Sequence, residues 1–338
     1  VTTPPHGPAR RGARLAAVPG GDGPRPSALP GEVRVRAPGK VNLSLRVGAV
    51  GADGYHPVST VFQAVSVVEE VVATHADERT LSVSGPQAEL VPTGPGNLAL
   101  RAAELLAERT GIDAGVHLHL HKGVPVAGGM AGGSADAAAA LLACDTLWGA
   151  GLAREELVEL AAELGADVPF SLTGHTAVGT GRGDLLTPAL SRGEFHWAFA
   201  VQDAGLSTAA VYGRYDELVA AGRPAAQVDG AEADVALLQA LLAGDAHALG
   251  AALHNDLQDA AVALDPRLAE PLEVARRTGA LGVVVSGSGP TVAALGRSRQ
   301  HALVLAAAFT AAGAADRVLT ATGPVAGARV VGVLDTGA

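Results

Sequence analysis

From Gly31 onward the chain alternates polar and apolar residues, Glu32-Val33-Arg34-Val35-Arg36, at the two-residue period of a strand with one buried face. Val41 to Val47 continues extended, and Asp53-Gly54 beyond it is a strong short-range signal for a hairpin turn. Strand patterns also run over Ser59 to Val72, Thr80 to Ser84 and Val116 to His121, whereas Leu98 to Arg109 spaces its apolar residues for a helix. A helix is predicted from about Ala135 to Trp148, and another, Arg154 to Leu164, stops at Gly165 just past its last turn. Strand character returns at Thr176 to Gly179 and His196 to Gln202, and Ala220 to Asp234 then reads as a surface connection. Downstream the pattern predicts helices near Val235 to Leu249 and Pro266 to Thr278, a strand at Gly282 to Val285, a helix near Arg299 to Ala312 and a strand near Arg329 to Leu334. Strands fall in adjacent runs and helices in others, which predicts an α+β class rather than an alternating parallel sheet.

Composition narrows the function classes. The 338 residues are 48% hydrophobic and 17% charged, enough for two lobes with sizeable cores. A net charge of −10 argues against nonspecific nucleic-acid binding but leaves room for a phosphorylated metabolite held by a local positive field. The lone cysteine, Cys144, lies on an apolar helical face and fits core packing in a reducing, cytoplasmic compartment. The uncharged stretch Ala302 to Ala315 is shorter than a bilayer requires, so no membrane partner is expected. Residues 1–30, rich in Pro and Gly, are expected to form a disordered leader. Two lobes, 31–186 and 187–338, would follow it, in a monomer or weak homodimer.

The densest chemical signal is Val124 to Ala140, VPVAGGMAGGSADAAAA, where glycines and a serine run into an alanine-rich helix. Such a loop offers backbone N–H groups at the positive end of a helix, where an anion can take the place of the partners those donors lack. A flexible turn with Ser134 as helix cap is the plainer alternative. The stretch is not GxxxxGK[ST], since Lys40 precedes Val41 and Lys122 follows His121, and it does not satisfy GxGxxG. Only two lysines, Lys40 and Lys122, survive among the basic residues of this Arg-rich chain. A compact ammonium and a planar guanidinium are not interchangeable, which marks both lysines as candidates for a tight site.

Asp167, between a helix end and Pro169 among apolar neighbours, is a candidate base if a cation such as Lys40 holds it ionised; a helix-cap or turn role is the alternative. His117, His119 and His121 share one strand face, but a solvated polar face explains them better than a zinc site. Tyr55 and Tyr212 fall in contexts that read as loops and could flank a nucleobase, or merely pack at an edge. A second glycine turn, Ser286-Gly287-Ser288-Gly289, invites the thought that both glycine turns approach one ligand.

Ala37-Pro38-Gly39-Lys40-Val41-Asn42-Leu43, Pro125 to Ala135 and Ser286-Gly287-Ser288-Gly289-Pro290 together resemble the three signature motifs of the galactose, homoserine, mevalonate and phosphomevalonate (GHMP) kinase superfamily. Ala52-Asp53-Gly54-Tyr55-His56, Gly96-Asn97-Leu98, Leu164 to Pro169 and Asn255-Asp256-Leu257 are similar to its branch acting on a cytidine diphosphate-linked methylerythritol. The resemblance implies a two-lobed fold, an N-terminal lobe like ribosomal protein S5 and a ferredoxin-like C-terminal lobe, with ATP and Mg²⁺ as cofactors. By motif position it implies Asp167 as catalytic base with Lys40 as its electrostatic partner. ATP would lie on Pro125, Val126, Ala127, Gly128, Gly129, Met130, Ala131, Gly132, Gly133, Ser134 and Ala135, with Asn97 and Lys122 nearby. Asn42, Tyr55, His56, Thr208, Tyr212, Gly287 and Gly289 would line the substrate site, with Tyr55 and Tyr212 flanking the cytosine. No secure Mg²⁺ ligand is implied. Where the family often has Gly and a second Ser, this chain has Ala131 and Ala135, and Tyr212 stands for a family Phe. A homoserine- or mevalonate-type kinase is the nearest alternative, opposed by Tyr55-His56. A noncatalytic relative is another, opposed by retention of both Lys40 and Asp167.

Overall fold

The computed structural model describes residues 29–52, 54–223 and 234–335. Nearly all of the expected leader, Asp53 of the expected turn and most of the expected 220–234 connection lie outside them.

The frame is a long antiparallel pair, β1 (Pro30–Val47) and β2 (Val58–Ala76), in register from Glu32 opposite Thr74 to Val47 opposite Val58. The sequence pattern splits β1 into two pieces because Pro38-Gly39 interrupts the alternation. In the fold these residues sit at a register shift, which bends the strand without ending it. Residues 48–57 close the pair, with Gly48 N on Pro57 O at 2.8 Å and Gly51 N on Tyr55 O at 2.8 Å, a wider loop than a two-residue hairpin.

β3 (Arg79–Ser84), α1 (Leu98–Thr110) and β4 (Gly115–His121) follow, and then α2 (Gly132–Trp148), α3 (Arg154–Leu164) and α4 (Val168–Thr173) cover one face of the sheet. Alanines make α2 narrow and buried nearly all round, so it lies close against β1 and β2. β5 (Thr176–Thr180) pairs with β2, and β6 (Leu185–Pro188) pairs with β5.

The second lobe is built from β7 (Phe195–Val201), α5 (Thr208–Ala220), α6 (Val235–Ala243), α7 (Ala246–Ala252), β8 (His254–Asn255), α8 (Gln258–Leu264), α9 (Ala269–Arg277), β9 (Gly282–Val285), β10 (Val292–Gly296), α10 (Arg299–Ala312) and β11 (Arg317–Gly323). Its antiparallel sheet runs β11-β7-β10-β9. The larger sheet has the order β12-β1-β2-β4-β3, with β8 also added to β1.

Several departures from the sequence pattern have causes visible in the fold. The stretch expected as one helix from Val235 breaks at Gly244-Asp245, because the Asp245 carboxylate caps a new helix through His247 N and Ala248 N. Tyr212, whose context reads as a loop, lies with Thr208 on α5, which Ser207 caps through Ala210 N. The pattern shows neither β10, five residues buried on both faces, nor β11, whose Ala, Gly and Thr leave little contrast between its faces. The final strand, β12 (Arg329–Asp335), was assigned to the C-terminal lobe but crosses back to pair with β1 in the larger sheet.

Candidate active site

Three chain segments meet between the lobes. Lys40, on the central part of β1, is 5% exposed, and its backbone N–H donates to Met130 O at 3.0 Å, tying the strand to the glycine loop. Its ammonium donates to Asn42 Oδ1 at 2.6 Å, stands 5.4 Å from the centre of the Phe62 ring and lies 3.7 Å from Asp167 Oδ2. Asn42 is itself locked, since its Nδ2 donates to Thr60 Oγ1 at 2.9 Å and Thr60 Oγ1 donates to Ser44 O at 2.7 Å. Asp167 immediately precedes α4 but makes no side-chain capping bond; one third of its side chain remains exposed, and it faces Lys40. The capping alternative therefore does not describe it.

The glycine loop enters α2 without a side-chain cap, so first-turn N–H groups remain available to an anion. Ala127 and Ala131 adopt φ of 52° and 60°, and Gly129 adopts 73°. A Cβ on Gly129 would come within 2.3 Å of Ser286 O, so no side chain fits there. Ala131 holds a left-handed conformation that glycine adopts freely, at a cost of roughly 1–2 kcal/mol. Ala127, Gly128, Gly129, Ala131, Gly132, Gly133 and Ser134 line a cavity of about 480 Å³ together with Lys40, Asn42 and Asp167. Pro125, Val126, Met130 and Ala135 do not line it; they form the back of the loop, with Val126 N held by Gln87 Oε1 at 2.9 Å.

The second glycine turn closes the cavity opposite. Ser286 Oγ donates to Gly129 O at 3.1 Å, so the two turns do meet. At Gly287, where φ is 58°, a Cβ would stand 3.3 Å from both Lys40 Nζ and Asn42 Oδ1. Asn255 fixes this turn, its Nδ2 donating to Val285 O and Gly287 O, each at 2.7 Å, while its Oδ1 accepts from Leu257 N at 2.8 Å. Gly287 and Gly289 both line the cavity, and Thr208 Oγ1 lies 3.0 Å from Ser288 Oγ.

Val58, Ala166, Arg182, Thr208 and Tyr212 also line a second cavity of about 850 Å³, so the two are continuous. Tyr55 and Tyr212 both reach its wall. Tyr55 is 55% exposed, and the Arg182 guanidinium lies 5.0 Å from its ring centre. His56 is held by its Nδ1 donating to Gly48 O at 2.8 Å, with Nε2 facing Asp216 Oδ1 at 3.3 Å and its ring 5.2 Å from that of Tyr212. Burial, with Asp167 nearby, pushes the Tyr212 hydroxyl up to about 12, so it remains protonated at working pH.

Two residues named beside the glycine loop do not themselves line the cavity. Asn97 caps α1, accepting from Ala99 N at 2.8 Å, with its amide donating to Pro92 O at 2.8 Å. Lys122 is buried between Glu69 and Asp136. The histidines of β4 form a ladder on the sheet face with Thr80, Ser82 and Ser84: Ser82 Oγ stands 2.8 Å from nitrogens of both His117 and His119, and Ser84 Oγ bridges His119 and His121. Among the described residues no group of His, Cys, Asp or Glu is arranged to hold a metal ion. Arg182, Phe62 and Thr60 belong to the site although their types in those contexts predict no role, and Asn255, quoted above only as part of a motif, holds the second glycine turn. Gly181-Arg182-Gly183, a cation between glycines, is a readable signal for Arg182.

An uncapped helix entrance, a lysine–aspartate pair beside it and a cleft between two α+β lobes define a GHMP-type small-molecule kinase. Residues 97–175 match the GHMP kinases N terminal domain and residues 237–315 the GHMP kinases C terminal domain. The chain is 55% identical, over 89% of its length and 99% of the relative's, to 4-diphosphocytidyl-2-C-methyl-D-erythritol kinase of Thermobifida fusca (strain YX). It is 52% identical to the Clavibacter michiganensis enzyme of the same name, over 88% of this chain and 96% of that one. A crystal structure of 4-(cytidine 5'-diphospho)-2C-methyl-D-erythritol kinase superposes with a TM-score of 0.68 at 34% identity, covering 86% of this chain and 98% of the other. Homoserine kinase from Cytophaga hutchinsonii, at TM-score 0.69 and 19% identity over 90% and 99% of the two chains, shares the fold. The chain belongs to the 4-diphosphocytidyl-2-C-methyl-D-erythritol kinase family and is an ATP-dependent small-molecule kinase.

Proposed function

We propose that this kinase transfers the γ-phosphoryl group of ATP to the 2-hydroxyl of 4-diphosphocytidyl-2-C-methyl-D-erythritol, giving the 2-phosphate and ADP, a step toward isoprenoid precursors. The observation that carries the reading is the Lys40–Asp167 pair, 3.7 Å apart, on the wall of a cavity also lined by the glycine loop. Phosphoryl transfer asks for positioning and charge neutralisation more than covalent help. The N–H groups from Gly132 onward would receive the triphosphate, and the larger cavity would take the cytidine diphosphate end, with Tyr55 and Tyr212 at the base. Asp167 accepts the hydroxyl proton as the acceptor oxygen bonds to the γ-phosphorus and the bridging bond to the β-phosphate breaks. Lys40, locked by Asn42, offsets the developing negative charge.

Among the described residues Asp167 is the one carboxylate lining the smaller cavity, so the donor set suits Mg²⁺ brought in on the triphosphate rather than a protein cage. When bound, the ion supplies neutralisation of phosphate charge. A cytoplasmic enzyme acting as monomer or weak homodimer, without nucleic-acid or membrane partners, completes the proposal. The net charge of −10 disfavours a nonspecific nucleic-acid partner, and no helix among the described residues is long and apolar enough to cross a membrane. Incubation with ATP, Mg²⁺ and each candidate acceptor tests it, phosphorus NMR reading the position phosphorylated. Phosphorylation at the 2-position of the cytidylyl acceptor, with none of homoserine or mevalonate, is expected. Preference for either of the latter two overturns the substrate assignment.

A further inference from the structure

Directly behind the glycine loop lies a charged cluster that the transfer described above does not use. Lys122 Nζ stands 2.6 Å from Glu69 Oε1 and 2.5 Å from Asp136 Oδ2, and all three side chains are essentially sealed from solvent. They come from three elements that frame the loop: Glu69 from β2, Lys122 from the residue after β4, and Asp136 from the second turn of α2. Glu69 Oε2 accepts from Gly123 N at 2.9 Å where the loop begins. Where it ends, a Cβ added to Gly132 would stand 2.9 Å from Glu69 Oε1. Gly132 also lines the cavity, so one thickness of backbone separates the Glu69 carboxyl from the space for phosphates.

Two carboxylates around one ammonium leave a charge of −1 if all three ionise. A buried excess charge is costly in itself, and here it would also face the nucleotide's own negative charge across a poorly screened gap. Asp136 Oδ1 has no hydrogen-bond partner and Glu69 Oε1 meets only the Lys122 ammonium that Asp136 Oδ2 shares, as expected of a cluster with more acceptors than donors. Burial first, and then the charge of Asp136, push the Glu69 carboxyl up to about 8, with Lys122 opposing only in part. The other neighbouring charges are engaged elsewhere. The loop 123–131 carries no titratable side chain, Glu70 pairs with Arg34 and Arg36, and Lys40 is held by Asn42 and Asp167.

We infer that Glu69 is a positioning residue that serves the nucleotide site as a neutral acid. Its proton keeps the underside of the phosphate loop uncharged, so binding of the triphosphate and retention of that proton favour each other. The inference rests on the reading that the glycine loop holds the ATP phosphates.

By linkage, MgATP must then draw protons onto the enzyme near pH 8. Calorimetric titration with MgATP, without acceptor, in buffers of different ionisation enthalpy measures this. The wild-type enzyme is expected to take up about half a proton more than Glu69→Gln at pH 8. The excess should vanish at pH 6.5. KM for ATP should rise severalfold, up to about tenfold, from pH 7 to pH 9 in the wild type, since only about one molecule in eleven still carries the proton there. In Glu69→Gln, the neutral isostere, that rise should be absent while kcat at pH 7 stays near wild type. Equal proton uptake in the two proteins, or the same alkaline rise in KM in both, overturns the inference. Failure of both proteins to bind MgATP at pH 7 overturns the underlying nucleotide reading instead. Should Glu69→Gln not fold, carboxyl-carbon NMR of wild-type enzyme labelled on glutamate decides. A glutamate titrating near pH 8 and moving to higher pH with saturating MgATP supports the inference; no glutamate titrating above pH 6.5 refutes it.

Discussion

The chain's two lysines are both buried, yet their surroundings differ in one respect. Lys40 meets a carboxylate one third exposed, at 3.7 Å, across the wall of an open cavity. Lys122 meets two sealed carboxylates at 2.6 and 2.5 Å. The first pair has room for a third party between its charges, whereas the second is closed to any third party and ties together the elements that carry it. Scarcity of lysine marks both positions equally; exposure of the partner separates a reacting pair from a framing one.

The largest effect should come from breaking the sealed cluster. Lys122→Met leaves the Asp136 carboxylate and the Glu69 carboxyl in the interior without their cation, and we expect a loss of about 3–5 kcal/mol in stability, read from urea unfolding midpoints. Should Lys122→Met unfold like wild type, the framing role would be wrong. Asp167→Asn should do the reverse, leaving stability nearly unchanged while kcat falls by at least about a hundredfold and KM for ATP moves little. Normal turnover in this variant would remove Asp167 from the chemistry.

Smaller effects sharpen the contrast. Gly287→Ala would place a methyl 3.3 Å from Lys40 Nζ on a backbone at φ 58°. A drop in kcat of about tenfold is expected, equivalent to roughly 1.4 kcal/mol. The Glu69 carboxyl is raised by burial and by Asp136 from 4.5 to about 8. Folded protein therefore keeps a proton that the unfolded chain releases, so its contribution to stability declines as pH rises from about 5 to 8 and levels off above. Glu69→Gln should remove that decline in midpoints measured across the range. Ala131→Gly relieves a left-handed alanine and should stabilise the fold by about 0.5–1 kcal/mol, less the added freedom of the unfolded chain.

How far the site was readable depended on distance along the chain. Gly39-Lys40-Val41-Asn42 carries the ammonium and its locking amide within three residues, and Ser286-Gly287 carries a turn that any such sequence suggests. Asn97, which motif position implies to lie near the ATP, caps α1 in the fold, where Ala99 N and Pro92 O take both ends of its amide. Tyr212 looked like a loop residue because its helix, α5, exposes much of its surface and shows little amphipathic pattern. The partners of Lys122 lie at positions 69 and 136, on elements whose spacing suggests nothing of their meeting.

By itself the sequence determined the α+β class, most of the strands and helices, the glycine turns and the scarcity of lysine. These follow from period, backbone freedom and composition, all local properties. Only the tertiary structure decided that Asp167 faces Lys40 rather than capping α4, that Lys122 lies behind the loop rather than in the cavity, and that the last strand returns to β1. Those outcomes turn on which side chains share a buried space, because burial makes unpaired charge and unsatisfied backbone expensive, and no local pattern reports what packs against it.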